Sequence, residues 1–210
     1  MESHLVPSPR TLADIDILER RTIGQGWGKL ERFKLRHRRY DGAWSAPIER
    51  DLYTIAEVMV VIPYDPALDA ILLVEQFRTC GLHWGEATWL VEGIAGIVEP
   101  GEDPRETARR EAVEEGNCEI RDIMPIMTGY SSPGGYGERA HLFAARADLS
   151  GAGGGVHGLA DEGEDIRALV VSLDEAYAAG QDGRIQDLKT VLMVQWLVLN
   201  RARLQGQDQP

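Results

Sequence analysis

The spacing of apolar residues changes character along the chain. Between Ile15 and Tyr53 they stand singly among charged residues, in IDILERRTIG, GKLERFKLRHRRY and APIERDLY. This alternation predicts three short strands, with Asp41-Gly42 at a hairpin-type turn. In VMVVIPYD (58–65) and DAILLVEQFR (69–78) the Val, Ile and Leu content is nearly continuous, the signature of central strands covered on both faces. Residues 79–88 read as a loop and WLVEGIAG (89–96) as one further strand. At Asp103 a helix opens: an N-cap carboxylate, Pro104 at the first helical position and Glu106 as a capping-box partner. It should run to about Glu115, where Gly116 and Asn117 can both take the left-handed conformation that ends a helix. Ala108 and Ala112 leave a strip along which this helix can sit close to a neighbour. Strands are expected over 123–128 and 138–145, separated by the irregular GYSSPGGYGER. A long glycine-rich and acidic loop follows, then a strand over 166–171. Ser172 with Glu175 should cap a short helix ended by Gly180, and 188–204 is apolar on nearly every face, as in a buried terminal helix. Residues 1–12 and the final QGQDQP should fray.

These elements divide the chain into an N-terminal strand domain (1–56) and an α/β domain (57–210). Three short strands bury little by themselves, so the first domain should pack on the second or on a partner subunit. Composition narrows the function. A net charge of −12 and a pI near 4.9 argue against nucleic acid as a partner. An acidic protein can still act on a small phosphorylated substrate if divalent cations mediate the contact. Cys80 and Cys118 are too few for a disulfide framework and read as reduced, partly buried residues of a cytoplasmic protein. The N-terminus lacks the apolar core of a signal peptide, and the run Val191–Leu199 is too short to span a membrane.

The chemistry concentrates in Gly96–Cys118, GIVEPGEDPRETARREAVEEGNC, which holds seven carboxylates. On a helix, Glu111, Glu114 and Glu115 share a face. Such repulsion is tolerable on a solvated surface; alternatively, the converging oxygens suit Mg²⁺ or Mn²⁺, which would relieve it. The preceding loop, Gly96–Gly101 with Pro100 inside, can bring backbone carbonyls near that face. Arg78, at a strand end, is a surface charge or a phosphate ligand.

The spacing Gly96, Glu102, Arg110-Glu111-Ala112, Glu114-Glu115 resembles the signature of the Nudix hydrolases, with Asn117 where the family usually has glycine. The chain most resembles the bacterial ADP-ribose pyrophosphatases within that family. The resemblance runs from about Ile15 to the terminal helix through LRHRRYDG, LLVEQFR, TWLVEGIAGIVEPGE, SSPGG and HGLADEGEDI, with Pro133 sixteen residues past Asn117. It implies an α/β/α sandwich with a mixed sheet, a homodimer with exchanged N-terminal strands, and Mg²⁺-dependent hydrolysis of ADP-ribose to AMP and ribose 5-phosphate. By position, Glu111, Glu115 and the Ala95 carbonyl would hold metal, with Glu114 beside them and Glu164 completing a site on loop closure. Glu162 matches the general base, and Arg78 a phosphate ligand with the backbone at Ile97 close by. Ser132, Pro133, Gly134 and Glu138 would line the ribose end, and Trp27, Arg50 and Asp51 would hold the adenine across the dimer. The stretch LYTIAE departs from relatives that carry a further substrate-binding glutamate there. Hydrolysis of a GDP- or UDP-sugar, or nucleotide binding without catalysis, are the alternative readings.

Overall fold

The structure, a computed structural model, describes residues 8–159 and 163–206. The chain forms two compact units, one of residues 1–55 with 132–138 and one of 56–131 with 139–210.

In the first unit, β1 (Ile15–Gln25), β2 (Lys29–His37) and β3 (Ile48–Thr54) form an antiparallel sheet in that order. β2 ends before the predicted Tyr40, and its continuation is a single bridge between Arg38 and Trp44. Two bulges interrupt β1, at Ile17/Glu19 and Thr22/Gly24. Ile15, Ile17, Leu18 and Ile23 are exposed on this edge strand. The irregular segment 132–138 belongs to this unit because it pairs with β3: Tyr53 N–H donates to the Gly135 carbonyl and Gly137 N–H to the Tyr53 carbonyl. The rings of Tyr53 and Tyr136 lie 6.0 Å apart and nearly parallel.

The second unit is built on a mixed sheet of eight described strands. These are β4 (Glu57–Asp65), β5 (Ala70–Phe77), β6 (Trp89–Glu92), β7 (Ile94–Ile97), β8 (Ile120–Tyr130), β9 (Arg139–Ala147), β10 (Val156–His157) and β11 (Ile166–Ser172). The order is β10-β11-β5-β4-β9-β8, with β4 and β9 parallel. Two layers of helix cover it. On one face α1 (Pro104–Gly116) packs Ala108 and Ala112 onto Met59, Val61, Leu72, Val74 and Ile94. On the other, α2 (Leu173–Asp182) and α3 (Leu188–Leu204) bury Leu173, Ala176, Met193 and Leu197 against Val60, Ile62, Ile71 and Leu73. Consecutive residues of β4 and β5 thus enter opposite layers, which is why these strands read as continuous apolar runs. None of the described helices is long and apolar enough to cross a membrane.

WLVEGIAG is two strands rather than one. Strands β4 and β5 pair only at Tyr64–Ile71 and Asp65–Ala70, then diverge; β6 continues along β5 and β7 along β4. Gly93 is the pivot, since a Cβ there would lie 2.9 Å from the Val60 side chain. Helix α2 runs past Gly180 to the left-handed Gly183, because Gly180 has ordinary room and helical geometry. In α1 the N-cap bond is made, Arg105 N–H to Asp103, but Glu106 turns to Arg109 and leaves the reciprocal half of the capping box unmade. Gly116 stays helical and Asn117 alone takes the left-handed cap, at φ 45°. β8 is longer than the predicted 123–128, with two irregularities around Asp122 and Pro125. Cys118 is buried, its thiol pushed up to about 11 chiefly by burial, whereas Cys80 is exposed.

Candidate active site

The site starts from the way α1 meets β7. At Gly96 an added Cβ would lie 2.1 Å from Glu111 Oε1, so the missing side chain is what lets the Glu111 carboxylate lie against the backbone. One turn on, Glu115 is 2% exposed and accepts a hydrogen bond from Ala95 N–H at 3.3 Å. Arg110 Nη1 bridges Glu111 and Glu114, at 2.8 and 3.0 Å, so these two carboxylates are neighbours on the helix. The end of α1 also reaches the 150s loop, where Gly158 N–H donates to the Glu114 carbonyl.

Two groups converge on this pair from β5 and β11. Arg78 lies at the end of β5 and makes a forked ion pair with Glu92 of β6, at 2.9–3.2 Å. Burial disfavours the Arg78 charge, but its bonds to Glu92 and the fields of Glu115 and Asp187 outweigh that and hold its pKa above the usual value. Glu164 precedes β11 and its Oε2 accepts from Leu159 N–H at 2.9 Å. Its charge is felt at both Glu111 and Glu115. Glu92 was not anticipated from sequence, since a lone carboxylate in an apolar strand fourteen residues from its arginine carries no pairing signal.

Burial, aided by the neighbouring carboxylates and opposed by Arg110 and Arg78, pushes Glu111 up to about 7 and Glu115 up to about 8. Against unfolded carboxylates near 4.5, the folded chain then binds more protons than the unfolded chain across about pH 4.5–8. Stability contributed by this pair is therefore present at the acid end and lost as pH rises through the window. In EDTA, the melting temperature of wild type should fall relative to Glu115→Gln as pH rises from 5 to 8.5. A divalent cation should close that gap. A pH-independent difference in a thermal-shift series would contradict the assignment.

The donor set fits a hard divalent ion: carboxylate oxygens, crowded enough to resist ionisation, beside a glycine that clears the approach. Among the described residues no three His, Cys, Asp or Glu side chains already stand in metal-binding geometry, and Arg110 holds Glu111 and Glu114 instead. Glu162 lies outside the described residues.

Ile97 closes β7 in the second unit, exposed, and the remaining predicted residues belong to the first unit. Trp27, in the β1–β2 turn, is 72% exposed. Arg50 and Asp51 are consecutive in β3 and so face opposite sides of the sheet; Asp51 is already forked to Arg32 at 2.6 and 2.7 Å. Ser132, Pro133 and Gly134 form the turn that leads into the Tyr136 bridge, with the Ser132 carbonyl accepting from Tyr136 N–H. Glu138 is buried and faces the Tyr136 hydroxyl at 3.5 Å.

A glutamate-bearing helix laid behind a glycine-proline turn on a mixed sheet, with helices on both faces, is a Nudix arrangement. The NUDIX domain profile matches residues 54–191, and the chain belongs to this family. The ADP-ribose pyrophosphatase of Escherichia coli is 36% identical over 194 residues, covering 92% of each chain. That of Haemophilus influenzae is 40% identical over 195 residues, 91% of this chain and 89% of its own. The GDP-mannose pyrophosphatase of Pectobacterium atrosepticum is 33% identical over 189 residues, 88% and 94% of the two chains. A crystal structure of an ADP compounds hydrolase shares the fold, with a TM-score of 0.69 at 19% identity, covering 95% of this chain and all of that one.

Proposed function

We propose that this protein hydrolyses the pyrophosphate of ADP-ribose to AMP and ribose 5-phosphate with Mg²⁺, or Mn²⁺, as cofactor. The observation that carries this reading is Glu115, a carboxylate enclosed on α1, held by the Ala95 N–H and coupled in charge to Glu111, Glu164 and Arg78. It lies in a chain whose ADP-ribose pyrophosphatase relatives match over about nine-tenths of their length.

The metal, held by Glu111, Glu115 and the Ala95 carbonyl with Glu114 and Glu164 alongside, would neutralise the phosphoanhydride and make a bound water more acidic. Arg78 takes a phosphate oxygen, its guanidinium aimed by Glu92, and the backbone at Ile97 adds a further contact. Glu162 accepts the proton of the attacking water. Trp27, Arg50 and Asp51 hold the adenine, and Ser132, Pro133, Gly134 and Glu138 the ribose end.

A second reading, hydrolysis of a GDP-sugar, is favoured by the GDP-mannose pyrophosphatase relative and by LYTIAE, which has no acidic residue before Glu57. Purified chain with Mg²⁺ and a panel of ADP-ribose, GDP-mannose and UDP-glucose separates the readings. AMP from ADP-ribose is expected to exceed the other products at least tenfold in kcat/KM. GMP in excess would select the second reading, and no product at all would leave a nucleotide-binding module.

The exposed apolar residues of edge strand β1 support a homodimer with exchanged N-terminal strands. Light scattering should give twice the chain mass; a monomer would leave the exposed Trp27 without the role given to it.

A further inference from the structure

We infer that the side-chain amide of Gln76 is a substrate-binding group that donates a hydrogen bond to a pyrophosphate oxygen. The inference rests on the proposed phosphoanhydride chemistry but on no particular nucleoside.

Gln76 stands in β5 two residues before Arg78. Alternation along the strand puts Leu72, Val74, Gln76 and Arg78 on one face, and Leu72 and Val74 belong to the layer under α1. Gln76 therefore follows that apolar layer to its end, where Arg78 and Glu115 interact. Its neighbours across the sheet are Leu90 of β6 on one side and, one step beyond the Arg167–Glu75 pair, the buried Ile166 of β11 on the other. Neither side chain offers an acceptor.

Gln76 is 8% exposed, and its Nε2 is enclosed with no hydrogen-bond partner among the described residues. An amide donor enclosed in this way destabilises a fold, and a Met or Leu would fill the same space without that cost. The carboxylates of the site do not supply the missing acceptor, since none of those described lies within hydrogen-bond reach of Nε2. The acceptor left is one brought by a ligand. A neutral N–H donor suits a phosphate oxygen at the wall of a carboxylate cluster, since it adds no charge to repel metal and competes for none. A change of rotamer that swings the amide out of its enclosure brings Nε2 to the ligand and leaves no polar atom behind without a partner.

The test compares wild type with Gln76→Met and Gln76→Glu, each melted first and assayed well below its melting temperature. Two readouts are used: calorimetric binding of magnesium imidodiphosphate, and kcat/KM for ADP-ribose. The expected result is that Gln76→Met melts at or above wild type yet binds imidodiphosphate about 10–100-fold more weakly, with a matching fall in kcat/KM. Gln76→Glu, nearly identical in shape but anionic, should bind more weakly still. If Gln76→Met melts lower, binding still decides, because the folded fraction at the assay temperature is unchanged. Binding within twofold of wild type in Gln76→Met, or a Glu variant no worse than the Met variant, overturns the inference. Wild type that binds imidodiphosphate but leaves ADP-ribose intact would overturn the proposed substrate alone. Failure of wild type to bind imidodiphosphate would overturn both.

Discussion

Replacing Glu115 by glutamine should reduce ADP-ribose turnover by about 10³-fold or more while leaving the fold intact. The figure follows from the several kcal/mol that a metal ion contributes to stabilising charge in a transition state, at 1.36 kcal/mol per factor of ten. The substitution keeps the volume and the capacity to accept from Ala95 N–H, so the α1–β7 contact survives. What it removes is a negative charge already enclosed and pushed up to about 8 by burial, by Glu111 and by Glu164. The metal-free variant should consequently melt higher than wild type above pH 7. Activity and stability would move in opposite directions, which no account of Glu115 as a packing residue produces. The measurement is kcat over a Mg²⁺ titration beside a melting curve in EDTA. Turnover within tenfold of wild type at saturating Mg²⁺ would remove Glu115 from the proposed metal set.

The second large effect is expected from Glu162→Gln, which should lower kcat by ~10²–10⁴-fold with KM little changed, the usual cost of losing a general base. The proposed base and Glu164 are two residues apart. Glu164 has a fixed attachment in the Leu159 N–H, whereas a proton acceptor must be brought to the water by its loop. Glu164→Gln should accordingly act through the metal, raising the Mg²⁺ needed for half-maximal rate more than it lowers the limiting kcat. If the two substitutions exchange these signatures, the base is Glu164.

Those assignments draw on a region whose helix was plain from sequence and whose surroundings were not. Helix α1 was legible because cap, proline, small-residue strip and glutamate spacing all point the same way, and Asn117 was legible because few residues accept a positive φ. The layered core was legible from the two continuous apolar runs. The break at Gly93 was not, since an apolar run reads the same whether it pairs with one strand or with two in turn. Arg78 could be named from its place at a strand end, but Glu92 could not, because their pairing depends on how β6 lies along β5. Gln76 looked like an ordinary polar residue in LLVEQFR; only its enclosure sets it apart. The seating of 132–138 on β3 also escaped the sequence, for it consists of backbone hydrogen bonds that any residues could make.

The diverging strands carry a mechanical consequence. Glu92, which aims the positive group, and Ala95, which steadies the negative one, are three residues apart on either side of Gly93. The distance between the two poles of the site is thus set by a single short peptide bridging the prongs of a fork. In the proposed reaction a phosphoanhydride, whose own length is fixed, would meet a gauge cut to one size, and any sugar nucleotide sharing that linkage would be measured by the same span.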